Sequence, residues 1–184
     1  MKKTTTHIEG LYVIENKVQK DIRGQFMEFW NDNKFQKENL NINFSQDNIS
    51  TSKKNVLRGL HFQYQPYGQI KYVSVLKGAV LDVAVDLRQD SKTYGQHFQI
   101  KLSEENNYGL LIPSGFAHGF LALEKENIFA YKCKGKYYQK YEETINWNDP
   151  ELDINWGIKK PILSKKDSNG KSFQEYRGSD LLKR

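Results

Sequence analysis

Three short segments concentrate residues able to move protons or grip anions. The first is Phe44-Ser45-Gln46-Asp47-Asn48-Ile49-Ser50. The second runs from Asn55 to Gln63 and sets Arg58, His61 and Gln63 among Leu57, Leu60 and Phe62. The third runs from Ile112 to Phe120 around His118. An imidazole titrates near neutrality, so His61 suits a general base. A lone histidine in an apolar strand is more often a satisfied core residue, and His118 equally suits a turn histidine that caps a loop. Neither residue decides anything alone. Arg58 and His61 stand three apart, which puts them on opposite faces of a regular strand. Gly59 between them is the natural place for a bulge that would bring them together.

Metal chemistry is the next possibility. Pro113-x-Gly115-x-x-His118-x-Phe120 is similar to the second metal-binding motif of the cupins, which are jelly rolls. The first cupin motif needs a His-x-His pair, and here the matching position reads His61-Phe62-Gln63. The chain has four histidines, and His7 and His97 lie outside both segments. Two histidines and a glutamine make a poor transition-metal donor set, so the expectation is a site without catalytic metal. No flavin motif, Gly-rich dinucleotide loop or Gly-x-Ser-x-Gly elbow is present, and no cofactor is expected. Cys133 has no obvious thiol-activating partner and reads as a core filler. Acid–base chemistry by His, Tyr and Lys is left, which suits proton exchange beside a carbonyl.

Period-two alternation supplies the elements that would position these groups. In Val80–Leu87, residues Val83, Val85 and Leu87 share one face while Asp82, Ala84 and Asp86 share the other. Alternation alone favours solvent exposure for the two carboxylates, since inward ones are costly unless used or paired. Further strands are predicted at 11–15, 25–30, 44–50, 57–63, 72–76, 97–102, 109–112, 119–123 and 128–133. Turn signals at Arg23-Gly24, Lys77-Gly78, Tyr94-Gly95 and Pro113-Ser114-Gly115 separate many of them. Short helical turns are predicted at 33–40 and 104–107, and 159–184 reads as a short helix with a loose polar tail. The whole, 1–184, is one domain with a core of about 10–157 and a polar extension from 158. The predicted fold is all-β, a cupin-like jelly roll with a short C-terminal helical segment and room for a ligand between its sheets.

The formal net charge of +6 and pI of about 9.2 suit an anionic partner. The 22 acidic residues and the lack of an arginine-rich stripe argue against nucleic acid, whereas a small diphosphate needs only two or three placed cations. One cysteine precludes an internal disulfide and fits a reducing cytoplasm. No apolar run follows Lys2-Lys3, so no signal peptide is expected. The longest apolar stretch, 79–87, is broken by Asp82 and Asp86, so no membrane span is expected either.

Seven motifs in order then carry a family resemblance. They are Asp21-Ile22-Arg23-Gly24-x-Phe26-x-Glu28, Phe44-x-Gln46-Asp47-Asn48-x-Ser50, Leu57-Arg58-Gly59-Leu60-His61-Phe62-Gln63, Asp82-Val83-Ala84-Val85-Asp86-Leu87-Arg88, Ile112-Pro113-x-Gly115-Phe116-Ala117-His118-Gly119-Phe120, Tyr131-Lys132-Cys133 and Trp147-Asn148-Asp149-Pro150. Together they resemble the dTDP-4-dehydrorhamnose 3,5-epimerases, cofactor-free jelly-roll dimers. The resemblance implies that His61 is the catalytic base, Asp167 its carboxylate partner and Tyr131 the acid on the opposite face of the sugar. It implies that Lys71 lies near the C4 oxygen of a nucleoside-diphosphate 4-keto-6-deoxyhexose and that His118 binds substrate. Arg23 and Arg58 match diphosphate-binding arginines. Glu28, Gln46 and Asn48 match nucleoside contacts, and Glu142 and Lys166 match further substrate contacts. The resemblance also implies a homodimer in which N-terminal strands cross between subunits, so that Arg23 and Glu28 serve the partner's site.

Two departures stand out. The family's aromatic pair after the catalytic strand begins, by spacing from Tyr131, at Lys136, with Tyr137 and Tyr138 following. Its C-terminal Trp-Pro is here Trp156-Gly157, which alters the lead-in to Asp167. The nearest alternative is a C3-only epimerase, which would share nearly all these motifs; a 3,4-ketoisomerase on a related jelly roll is not expected to combine Tyr131 with the whole set, and His61 together with Tyr131 argues against a non-catalytic sugar-nucleotide binding protein. Surface polysaccharides and antibiotic sugars both draw on this chemistry.

Overall fold

The computed structural model describes residues 1–177 and 179. The strands are β1 (Lys2–Thr5), β2 (Tyr12–Glu15), β3 (Val18–Asp21), β4 (Gly24–Met27), β5 (Gln46–Lys53), β6 (Leu57–Gln63), β7 (Ile70–Lys77), β8 (Ala79–Asp86), β9 (His97–Ser103), β10 (Tyr108–Ile112), β11 (Phe116–Ala122), β12 (Glu126–Lys134) and β13 (Glu142–Thr144). Three short helices join them: α1 (Asp32–Lys37), α2 (Lys165–Ser168) and α3 (Phe173–Tyr176). One sheet has the order β1-β2-β10-β7-β12-β5 and the other β13-β6-β11-β8-β9, while β3 and β4 form a separate hairpin. The strand pairings are antiparallel. The molecule is all-β, a cupin-like jelly roll of two facing sheets.

Apolar residues from both sheets fill the space between them. Val73, Val75, Leu110 and Phe129 of the first sheet meet Val80, Ala84, Leu102 and Phe120 of the second. The outer faces are covered too. Phe35 and Leu40 lie over Ile14, Tyr72 and Leu111. Leu152, Trp156, Phe173 and Tyr176 lie over Leu57, Val83, Val85 and Leu121. Each large apolar side chain so buried contributes about 1.5–3 kcal/mol.

That double cover explains where local reading fails. Asp82 and Asp86 were expected to face solvent, yet both are fully buried, because the second sheet has no solvated face at β8. Asp82 pairs with His118. Asp86 takes two bonds from the Arg88 guanidinium at 2.8 and 2.7 Å and one each from Ser91 and Thr93. The extension from 158 is not a loose tail over its described part. Phe173 and Tyr176 are each 1% exposed, so the core runs past its expected limit at 157. The end of the expected tail, 178 and 180–184, lies outside the described residues. The strand expected at 25–30 ends at Met27, and Phe29 and Trp30 turn into an aromatic nest with Phe35 and Tyr72. Residues 104–107 make a single turn that does not continue as a helix, closed by Asn107 N–H to the Ser103 carbonyl at 3.0 Å and by Asn106 side-chain bonds to Ser103 and Lys101. Strands β1, β3 and β13 were not foreseen; each is short and mostly polar.

Candidate active site

The open end of the sandwich holds a cleft of about 290 Å³. Alternation aims its walls. On β5, Gln46, Asn48 and Ser50 face the cleft; on β12, Phe129, Tyr131 and Cys133 do. Lys71 enters from β7, paired in register with Cys133. The opposite sheet contributes Arg58 and His61 from β6, His118 and Phe120 from β11, and Glu142 from β13.

The β6 wall depends on one irregularity. Opposite β11, His61 pairs with His118 while Arg58 pairs with Phe120, so β6 spends one more residue than its partner. This is the bulge expected at Gly59, and it brings Arg58 and His61 to one face. Gly59 has a φ of 117°, and a Cβ there would stand 2.5 Å from Gly119 Cα and 2.6 Å from the His118 carbonyl. Only glycine allows both the conformation and the approach. The Arg58 guanidinium is then fixed by Ser52 Oγ at 3.1 Å and the Thr51 carbonyl at 3.2 Å.

His61 Nε2 meets Asp167 Oδ1 at 2.5 Å. With Nε2–H given to the carboxylate, the free imidazole lone pair is on Nδ1. Asp167 itself is held from several sides. Its Oδ2 accepts from Ser164 Oγ at 2.6 Å, its backbone N–H donates back to that hydroxyl, and its Oδ1 takes a long bond from Gly59 N–H. Burial works to raise the Asp167 carboxyl, but the bonds from His61 and Ser164 outweigh it and hold the group below the usual carboxylate range. Despite the Trp156-Gly157 change, the chain reaches this position because Ile162 bridges to the start of β6. Ile162 donates to the Asn55 carbonyl at 2.7 Å and accepts from Leu57 N–H at 3.0 Å.

Across the cleft, burial pushes the Tyr131 hydroxyl up, with Cys133 and Glu142 adding to the shift, so the phenol keeps its proton. Burial pulls Lys71 below the ordinary lysine range, although Cys133, Glu142 and Asp82 act in the other direction. Burial also pushes the Cys133 thiol up, away from the reactive thiolate. Glu142 sits below its ordinary value. Burial opposes that shift, but the Lys166 ammonium and the Tyr137 hydroxyl bonded to it prevail. His118 Nε2–H donates to the Asp82 carboxylate, 3.0–3.1 Å from its two oxygens, deep in the cleft. Among the described residues no group of three or more His, Cys, Asp or Glu side chains is placed to hold a metal ion. Among them, too, no helix is long and apolar enough to cross a membrane.

The cleft thus brings together a histidine braced by a carboxylate, a tyrosine on the facing sheet and a lysine from that same sheet. The dTDP-4-dehydrorhamnose 3,5-epimerase family model covers residues 5–175. The chain belongs to that family. It is 47% identical over 174 residues to the dTDP-4-dehydrorhamnose 3,5-epimerase of Methanothermobacter thermautotrophicus, across 92% of this chain and 93% of the other. The crystal structure of the Elizabethkingia anophelis enzyme superposes with a TM-score of 0.89 at 44% identity, covering 95% of this chain and 97% of that one. A 3'-monoepimerase of Streptomyces bikiniensis, solved with dTDP-quinovose, gives 0.90 at 30% identity, covering 97% and 91%.

In this epimerase-family chain, nine of the twelve residues expected at the site line the cleft: Gln46, Asn48, Arg58, His61, Lys71, His118, Tyr131, Glu142 and Asp167. Lys166 reaches its rim through the ion pair with Glu142. Arg23 and Glu28 do not come to it. Arg23 sits on the β3–β4 hairpin, 86% exposed and paired with Asp21, and Glu28 pairs with Lys34 of α1. The position expected from spacing at Lys136 is corrected by one residue, since Tyr137 lines the cleft. Sequence reasoning missed Ser50, Cys133 and Ser164. For the first two the signal was present, because they continue the alternation of Asn48 and Tyr131. Ser164 gave none beyond its place as the N-cap of α2.

Proposed function

We propose that this chain is an isomerase that inverts C3 and C5 of dTDP-4-keto-6-deoxyglucose, yielding the dTDP-4-keto-rhamnose type of product. The observation that carries the reading is that His61, braced by Asp167 of α2, stands on one sheet and Tyr131 on the other, so base and acid address opposite faces of a ligand in the cleft. Inversion requires that arrangement. His61 takes the proton from C3 or C5, each of which the C4 ketone acidifies. As the enolate forms, its charge gathers on the C4 oxygen, beside the Lys71 ammonium. A preorganised donor of this kind is worth about 3 kcal/mol of barrier. Tyr131 then delivers a proton from the far side, and the general acid and base each contribute about 100- to 10,000-fold. Arg58 and His118 hold the ligand, and Gln46, Asn48, Glu142 and Lys166 complete its contacts.

The active form in this reading is a homodimer with exchanged N-terminal strands, in which Arg23 and Glu28 reach the partner's cleft. Support comes from the β3–β4 hairpin, which stands apart from both sheets with Ile22 and Phe26 exposed. Strand β5, which carries Gln46 and Asn48, is a free sheet edge with Ile49 exposed beside them. The unpaired Cys133 supports a reducing, cytoplasmic setting.

The deciding experiment incubates the protein with dTDP-4-keto-6-deoxyglucose in heavy water and reads deuterium at C3 and C5 by NMR. Label at both carbons, abolished by His61→Ala, is the expected result. Label at C3 alone would make the chain a 3-epimerase, and no label at either carbon would reject the substrate.

A further inference from the structure

Gln63 follows His61 by two residues, and proton transfer gives it no task. It is 8% exposed, and backbone from two loops occupies its carboxamide. Nε2 donates to the Tyr67 carbonyl at 2.8 Å and to the Lys136 carbonyl at 3.1 Å. Oε1 accepts from the Tyr138 N–H at 2.6 Å. Both donors of the amide are thereby used. Tyr67 lies in the loop before β7, while Lys136 and Tyr138 flank Tyr137. A single buried side chain therefore grips the chain on either side of Tyr137, a half-exposed residue that lines the cleft.

The neighbouring contacts act in the same direction. Gln69 Nε2 donates to the Gly135 carbonyl at 3.2 Å, and Gly135 has a φ of 104° that turns the chain out of β12. The Tyr67 ring packs against Tyr138 and Tyr141 at centroid distances of 4.2 and 4.3 Å, closing the two loops on each other. Tyr137, half exposed, donates its hydroxyl to Glu142 at 2.9 Å. A tyrosine ring in that position offers a stacking surface for a nucleobase, and a lysine in its place would not.

We propose that Gln63 is a positioning residue for ligand recognition: it clamps the Lys136–Tyr138 segment so that Tyr137, not Lys136, faces the cleft and a nucleoside diphosphate is held there. The proposal rests on the reading of the cleft as a sugar-nucleotide site. It assigns Gln63 to binding and not to the proton chemistry.

The test is a double-mutant cycle with Gln63→Ala, Tyr137→Ala and the pair, reading dTDP affinity by calorimetry together with kcat and KM. Gln63→Ala should weaken dTDP binding and raise KM about tenfold, with kcat held within about twofold. In the Tyr137→Ala background the same change should add little, because the group it positions is gone. Unchanged dTDP affinity in folded Gln63→Ala, or an equal loss in both backgrounds, would overturn the proposal. Should Gln63→Ala not fold, Gln63→Glu keeps the size and the acceptor for Tyr138 while losing both donated bonds. It should show the same KM rise, and a wild-type KM there would also overturn the clamp. If the wild type itself neither binds dTDP nor labels the sugar, the reading of the cleft fails; if it does both and only the cycle fails, the clamp alone is wrong.

Discussion

The imidazole of His61 meets a carboxylate 106 residues further along the chain, and the carboxylate is oriented by Ser164 before it orients anything else. Its charge matters more than its shape. Asp167→Asn should lower kcat about 100-fold with little change in KM, since the amide stabilises no imidazolium. Steady-state rates measure both. Lys71 makes a second prediction, about pH. Its environment is Cys133, Glu142, Asp82 and Lys166, and burial dominates, so the ammonium deprotonates below the ordinary lysine value of about 10.4. Tyr131 is shifted the other way and keeps its proton longer. In the proposed mechanism the cation is the active form of Lys71, so activity should fall as pH rises through its depressed pKa, and the alkaline limb of kcat should belong to Lys71. Lys71→Arg should move that limb to higher pH, whatever its effect on the maximum, and Tyr131→Phe should leave the limb in place; a pH–rate profile of each variant reads this.

At the scale of elements, the site hangs on the β6–β11 bulge. A regular β6 would send Arg58 and His61 to opposite faces, one toward the cleft and one toward the layer that includes Trp156 and Tyr176. Gly59→Ala puts a methyl against two backbone atoms in a conformation that resists a side chain. It should cost about 3 kcal/mol, a fall of about 6–12 °C in melting temperature for a chain of this size. Activity should drop further than the lost stability explains, because the strand that yields carries both Arg58 and His61. The carboxyl-terminal segment acts in a similar way. Its bonds between Asn146 and Lys171 and between Phe173 N–H and Asp149 tie down the stretch that presents Asp167.

At the scale of the whole molecule, two facing sheets set His61 and Tyr131 on opposite walls, and the charged groups are shared unevenly between cleft and surface. Arg58 is the one arginine among the described residues lining the cleft, while Arg23 stands out on a detached hairpin. If hairpins are exchanged in a dimer, Arg23→Ala and His61→Ala should each be inactive alone and should regain activity when the two proteins are mixed and allowed to exchange subunits. Each mixed dimer then has one cleft with both residues intact. Failure to recover activity, in a mixture shown by mass to contain the mixed dimer, would place Arg23 in its own subunit's function or in none.

Much of this was legible in the chain. Motif order gave the family, alternation gave most of the long strands, and the odd spacing of Arg58 and His61 around Gly59 pointed to a place for a bulge. Alternation misjudged Asp82 and Asp86 because it assumes one wet face per sheet, and both faces of this sheet are covered by segments remote in sequence. It left Phe173 and Tyr176 in a loose tail for the same reason: two apolar residues in a polar stretch bury themselves only when a sheet is there to receive them. Spacing from Tyr131 pointed at Lys136, and backbone bonds from Gln63 and Gln69 chose Tyr137. The sequence by itself determined which chemical groups exist and which strands carry them, since residue type and period-two spacing are local properties. Only the tertiary structure decided which side chains share the cleft, which carboxylates find partners and which loop residue faces the ligand, because those depend on contacts between segments remote in sequence, from 36 residues apart for Asp82 and His118 to 106 for His61 and Asp167.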